Sequence, residues 1–142
     1  MIANARLLMR TRLISRVITG IYDKKLRGLK ISAAQLALLL AIYEVQPATR
    51  AEIGRQQHLD RSTLTRHLKM VLSEGWAEET RQGADGRSRP ILLTTTGSDL
   101  LRKAEPACRA AEEQAKALLG ENGATAVMDI ASRIVDPKTI SR

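Results

Sequence analysis

The stretch AAQLALLLAIYEV, residues 33–45, is apolar nearly all the way round a helix. A helix with so little polar face cannot lie at a surface, so this segment is expected to be the most buried helix of the fold. Its limits are marked in the chain. Ser32 precedes it with Gln35 three residues on, the spacing of a capping box, and Pro47 ends it.

What surrounds that helix follows from periodicity and caps. Residues 4–27 read as an amphipathic helix: at about 100° per residue Leu7, Leu8, Ile14, Val17, Ile18, Ile21, Tyr22 and Leu26 share one arc. Arg6, Arg12, Arg16, Lys24 and Arg27 lie opposite, with Met9 and Leu13 among them as a second contact surface, and Gly28 is the expected stop. Thr49, with Glu52 three residues on, caps a short helix running to about Gln57. Asp60 caps RSTLTRHLKMVLSEG, which stops at Gly75. The pattern then changes. AEETRQ and PILLT read as strands around the turn formers GADGRS, a β-hairpin. From Thr95 a long helix is expected to about Leu119, kinked at Pro106; Gly120 to Gly123 break it, and a last helix runs from Ala124 to Val135. The fold class is therefore mainly α with a small β-hairpin (α+β), the plan of a winged helix-turn-helix with helical extensions.

The helix after Asp60 carries the chemistry. Leu64, Leu68, Val71 and Leu72 fall within about 100° of one another and must face the core. Opposite lie Ser62, Arg66 and Lys69, flanked by Thr63 and Thr65, with no carboxylate on the stripe. A duplex reader needs this arrangement: arginine donates to guanine in the major groove, and hydroxyls reach phosphates or base edges. The competing reading is a merely solvated face. The preceding helix favours the first, because Ile53 and Gly54 supply the apolar contact and small residue of a close crossing before the short turn at His58–Leu59. On the hairpin, Arg87 and Arg89 sit at the tip and Arg81 on the incoming strand, where long cations reach a minor groove. Asp85, two residues before Arg87, is placed to brace its guanidinium.

Composition agrees with a polyanionic partner. The net charge is +8 and the pI about 10.3, which favours nucleic acid first and an acidic membrane surface second. The excess is not where the reading helix is: residues 1–30 hold eight Lys/Arg against Asp23 alone. The argument for DNA thus rests on position, not on sums. With only Trp76, Tyr22 and Tyr43 as aromatics, the chain lacks the stacking platforms of single-strand binders.

From about residue 30 to 101 the chain resembles the MarR family of bacterial regulators. LDRSTLTRHLKMVLSEGW is similar to that family's recognition helix, and DGRSRPILLT to its wing, with Asp85, Arg87, Leu93 and Thr94 at the signature positions. The following TTG and the proline in the long helix also fit, while His58 stands where many members have a turn glycine. The resemblance implies one domain over 1–142, with a winged lobe at 31–94 and dimerisation helices at 1–30 and 95–142. It also implies a homodimer on a palindromic operator, usually a repressor released by a small phenolic or carboxylic ligand or by cysteine oxidation. Ser62, Thr63, Thr65 and Arg66 become major-groove candidates, Arg87 the minor-groove contact and Asp85 its brace. Arg16, Tyr22, Leu36 and Tyr43 are the candidate lining of an effector pocket, since aromatic rings with one cation suit an aromatic carboxylate.

Other function classes find little support. No catalytic set, phosphate loop or dinucleotide fingerprint is present, so neither an enzyme nor a cofactor is expected. His58 and His67 have no ligand partners at metal spacing. Cys108, the one cysteine, lies in the Ala-rich ACRAA and reads as packing, with a redox switch as the alternative. No apolar run nears roughly 20 residues and no secretory signal opens the chain, so a cytoplasmic protein is expected, without a membrane partner. The rival from another class is a winged-helix module for protein–protein contact, which the acid-free stripe argues against.

Overall fold

The computed structural model describes residues 3–81 and 89–135. Along the chain run α1 (Arg6–Leu26), a 3-10 turn (Arg27–Leu29), α2 (Ala33–Val45), α3 (Arg50–Gln57), α4 (Arg61–Ser73), β1 (Ala77–Glu79), β2 (Ile91–Leu93) and α5 (Thr95–Val135). The architecture is mostly helical with a two-stranded antiparallel hairpin.

α2 is the hub. Leu36, Leu38, Leu39, Ala41 and Ile42 are buried along it, and it touches α1, α3, α4, α5 and β2. Leu26, Ile31, Ile53, Leu64, Leu68, Val71, Ala77, Ile91 and Ala104 close round it in one cluster. Each aliphatic side chain fully buried there contributes about 1.5–3 kcal/mol against exposure, which is what fixes so short an apolar helix at the centre. Its start is tied twice. Ser32 and Gln35 form both halves of the capping box (3.1 and 2.9 Å), and Asp23 on α1 accepts from the Ala33 amide at 2.7 Å.

Three boundaries differ from the sequence expectation. α1 ends at Leu26, and the left-handed residue is Lys30 (φ 57°), not Gly28, because the 3-10 turn delays the reversal. α5 keeps helical dihedrals through Pro106 and leaves them only at Gly120 (φ 74°, ψ 165°), where only glycine is at ease. Pro106 lies on the exposed side of α5, while Ala104, Ala111 and Ala115 are buried on the other side. The strands are three residues each, shorter than AEETRQ and PILLT.

The hairpin pairs Ala77 with Leu93 and Glu79 with Ile91. The far edge of β2 is covered as well: Ala48 exchanges backbone hydrogen bonds with Ile91, and the Gln46 side chain accepts from the Leu93 amide at 2.9 Å. At the base, Thr94 N donates to the Trp76 carbonyl at 3.1 Å, and the Thr94 hydroxyl accepts from the Gly97 amide at 3.0 Å, capping α5.

α1 packs chiefly against α5, yet only Ile21 and Leu26 on it are buried. Leu7 is 79 % exposed and Met9 68 %, and beyond Gly120 Met128 is 65 % exposed.

Candidate nucleic-acid interface

The α3–α4 unit sets the geometry. Thr49 caps α3 by accepting from the Glu52 amide at 3.2 Å. The chain then reverses at His58, a left-handed non-glycine residue (φ 52°, ψ 39°), and Leu59 N returns to the Gly54 carbonyl at 3.0 Å. A Cβ on Gly54 would stand 3.2 Å from the end of the Leu64 side chain, so the two helices cross closely there and a larger residue would have to displace that side chain. His58 thus takes the reversal itself; its ring Nε2 lies 3.4 Å from the Ile134 carbonyl.

α4 presents two unlike faces. Leu64, Leu68 and Val71 are buried and Leu72 half-buried, while Ser62, Thr65, Arg66 and Lys69 are exposed and Thr63 half-buried. The exposed stripe holds hydroxyls and cations and no carboxylate. Asp60 anchors the first turn: its Oδ1 accepts from the Thr63 amide at 2.7 Å and from the Ser62 hydroxyl at 3.1 Å. The Thr63 amide, then the Thr63 and Ser62 side chains, hold its carboxyl below the ordinary range, with a smaller push from Arg66. The Thr65 hydroxyl donates to the Arg61 carbonyl at 2.8 Å, and Arg66 Nη2 lies 3.4 Å from Thr63 Oγ1.

On the wing, Arg81 and Arg89 are exposed at the two stems. Asp85 and Arg87 lie outside the described residues. An ion pair of Arg50 with Glu79 fastens the first turn of α3 to the end of β1. Arg61 was not singled out from sequence, and Gly97 entered only within the TTG motif, without a role. Arg61 is exposed at the first position of α4, legible as a cation directly after the capping Asp60. Gly97 is required by packing, as a Cβ there would fall 1.9 Å from the Trp76 carbonyl oxygen; no local sequence signal reports that clash.

The expected effector residues do not converge. Leu36 and Tyr43 line a cavity of about 450 Å³ between α2 and α5, together with Leu40, Ser98, Leu101, Arg102, Glu105 and Cys108. Arg16 lines a separate groove along α1 and α5 with Lys24 and Gln114. Tyr22 packs half-buried against the core, its phenol pushed up by burial first and then by Glu112 and Cys108. The cation at the cavity is therefore Arg102, and Arg16 lies instead in the groove lined by Val17, Gly20 and Ile21. The half-buried Cys108 thiol is also pushed up, by burial and then by Glu112 and Glu105, which holds it as the poorly nucleophilic thiol. Among the described residues no three His, Cys, Asp or Glu gather as a metal site, and no single helix is long and apolar enough to cross a membrane.

A model of the MarR family matches residues 28–88. The organic hydroperoxide resistance transcriptional regulator of Bacillus subtilis is 37 % identical over 90 residues, 63 % of this chain and 61 % of that protein. The regulator SarZ of Staphylococcus saprophyticus is 31 % identical over 86 residues, 61 % of this chain and 59 % of that protein. The chain thus matches about three fifths of the length of these relatives. Among solved structures, a cysteine-to-serine mutant of MarR from E. coli complexed with operator DNA superimposes with a TM-score of 0.80 at 21 % identity, over 92 % of this chain and 94 % of that one. The M. tuberculosis regulator MosR in complex with DNA gives 0.76 at 26 % identity, over 92 % and 95 %.

Proposed function

We propose that the chain is a winged helix-turn-helix regulator of the MarR family, whose model matches residues 28–88, and a sequence-specific reader of double-stranded DNA. It acts as a homodimer in the cytoplasm and represses until a small aromatic or carboxylic ligand releases it. The observation that carries the DNA reading is the acid-free stripe of Ser62, Thr65, Arg66 and Lys69, held outward by three buried aliphatics and braced by Asp60. α4 enters the major groove, where Arg66 donates to guanine O6 and N7 and Thr63 and Lys69 serve flanking contacts. Arg81 and Arg89 flank the wing tip towards the minor groove; Arg87 and its brace Asp85 join them on the sequence pattern alone. The E. coli and M. tuberculosis proteins, each solved with DNA bound, support the same docking.

Dimerisation is supported by the exposed apolar side chains at the start of α1 and beyond Gly120, surfaces that a second copy would cover. Two recognition helices related by a two-fold axis then read half-sites about 10 bp apart, on a palindrome. The α2–α5 cavity is the candidate effector site: its volume is within the usual range for small ligands, and Tyr43 and Arg102 suit an aromatic acid. The raised Cys108 thiol disfavours the alternative of release by cysteine oxidation.

The test is selection of duplexes from a randomised library by the full-length protein, followed by footprinting. Enrichment of a palindrome protected over two adjacent major grooves is the expected result. Failure to enrich any duplex would exclude the reading in favour of a protein-contact module.

A further inference from the structure

We propose that Ser62 and Thr65 act in the groove as hydrogen-bond acceptors only, so that they read the amino groups of adenine or cytosine and do not bind phosphates. The proposal rests on the docking of α4 described above and adds to it the polarity of the two hydroxyls.

A serine or threonine hydroxyl has a single proton to give and lone pairs to spare. Where that proton goes is fixed here by chemistry. The Ser62 hydroxyl lies 3.1 Å from Asp60 Oδ1, and an ionised carboxylate only accepts, so Ser62 is the donor. The lowered carboxyl of Asp60 keeps it ionised at neutral pH. The Thr65 hydroxyl lies 2.8 Å from the Arg61 carbonyl oxygen, which likewise only accepts, so Thr65 is the donor there. Both protons are spent inside the protein. What each exposed side chain offers a partner is an oxygen lone pair.

Phosphate oxygens are acceptors, so two such hydroxyls gain nothing against the DNA backbone. The major groove offers them only two kinds of donor, adenine N6 and cytosine N4. Turning Ser62 towards a phosphate would break a charge-assisted bond to the residue that caps the helix. The cations on the same stripe have the opposite polarity: Arg66 and Lys69 donate and never accept. The face therefore sets acceptors at Ser62 and Thr65 beside donors at Arg66 and Lys69. It demands an amino-bearing base beside a base that shows O6, N7 or O4.

The full-length protein and a half-site selected from a randomised duplex library provide the test. Each adenine is replaced in turn by purine, which lacks the 6-amino group, and each cytosine by pyrimidin-2-one, which lacks the 4-amino group. Affinities are measured at fixed salt for the parent, Ser62→Ala and Thr65→Val, the last keeping the side-chain shape. We expect one position per hydroxyl at which loss of the amino group weakens the parent about three- to tenfold, with that loss absent in the matching variant. The analogue scan of the parent stands even if a variant folds badly. Three results overturn the proposal: no amino-dependent position in the parent; uniform weakening by Ser62→Ala and Thr65→Val on all sequences, the mark of phosphate contacts; or coupling to a thymine or guanine acceptor. A library that enriches no duplex removes the docking of α4 itself, and the proposal with it.

Discussion

Substituting Gly97 by alanine tests how the wing is held to the rest of the fold. The new Cβ would fall 1.9 Å from the Trp76 carbonyl oxygen and 2.9 Å from its carbon. Ordinary carbon–oxygen contacts begin near ~3.3 Å, so the two backbones would have to part by more than ~1 Å. Neither is free to move. Trp76 is tied by its amide to Val71 and by its carbonyl to Thr94, both at 3.1 Å, and the Gly97 amide is bound to the Thr94 hydroxyl at 3.0 Å. Overpacking of this kind costs about 1–3 kcal/mol, and the loss of one or two of these hydrogen bonds adds about 1 kcal/mol each. Alanine recovers up to about 1 kcal/mol as a helix former. The net loss is about 2–4 kcal/mol, a fall in Tm of roughly 10 °C for a chain of this size. Thermal unfolding followed by circular dichroism measures it, with Gly54→Ala as comparator. There the added Cβ meets the end of the Leu64 side chain at 3.2 Å, which can yield, so the cost stays below about 1.5 kcal/mol. A Gly97→Ala protein that melts with the parent, or no lower than Gly54→Ala, would refute the reasoning.

Two further outcomes are expected. Asp60→Ala lowers Tm and Asp60→Asn restores most of the loss, because the amide oxygen still accepts from Thr63. The folded carboxyl titrates below its ordinary 3.8, so the advantage of the aspartate cap over an asparagine cap is present above that value and lost as pH falls through the lowered one; parallel melts from about pH 2 to 7 check the direction. For Cys108 the raised thiol predicts slow alkylation by iodoacetamide at about pH 7.5, accelerating only above the ordinary 9.0. Cys108→Ser should keep DNA binding and any ligand response, as read by anisotropy with and without the ligand; loss of peroxide-driven release in that variant would restore the redox alternative.

Much of this fold was legible because local chemistry and the global arrangement agree. The caps at Ser32, Thr49 and Asp60 form as their spacing indicates, and the leucine arc of α4 turns inward as its period requires. Where the expectations miss, the outcome is one that no local spacing marks. Pro106 remains in helical dihedrals in an α5 whose opposite face is buried. The turn expected at Gly28 moves to Lys30 through a 3-10 turn. The strands are shortened, and the segment after α2 pairs with β2 from its far side. The α4 stripe could be read because a helix wheel fixes which side chains share a face. The effector lining could not, because Arg16 and Tyr43 are brought near or kept apart by how α1, α2 and α5 pack, and nothing in their spacing reports it.

Fluorescence anisotropy of a selected duplex with the parent and Arg66→Ala, across about 50–200 mM salt, bears most directly on the recognition helix. The expected result is a linear fall of log K with log salt, through counterion release, and a further loss of about 1–3 kcal/mol with relaxed base preference in the variant. An affinity indifferent to salt, or an Arg66→Ala protein that binds the same sequence as tightly as the parent, would contradict it.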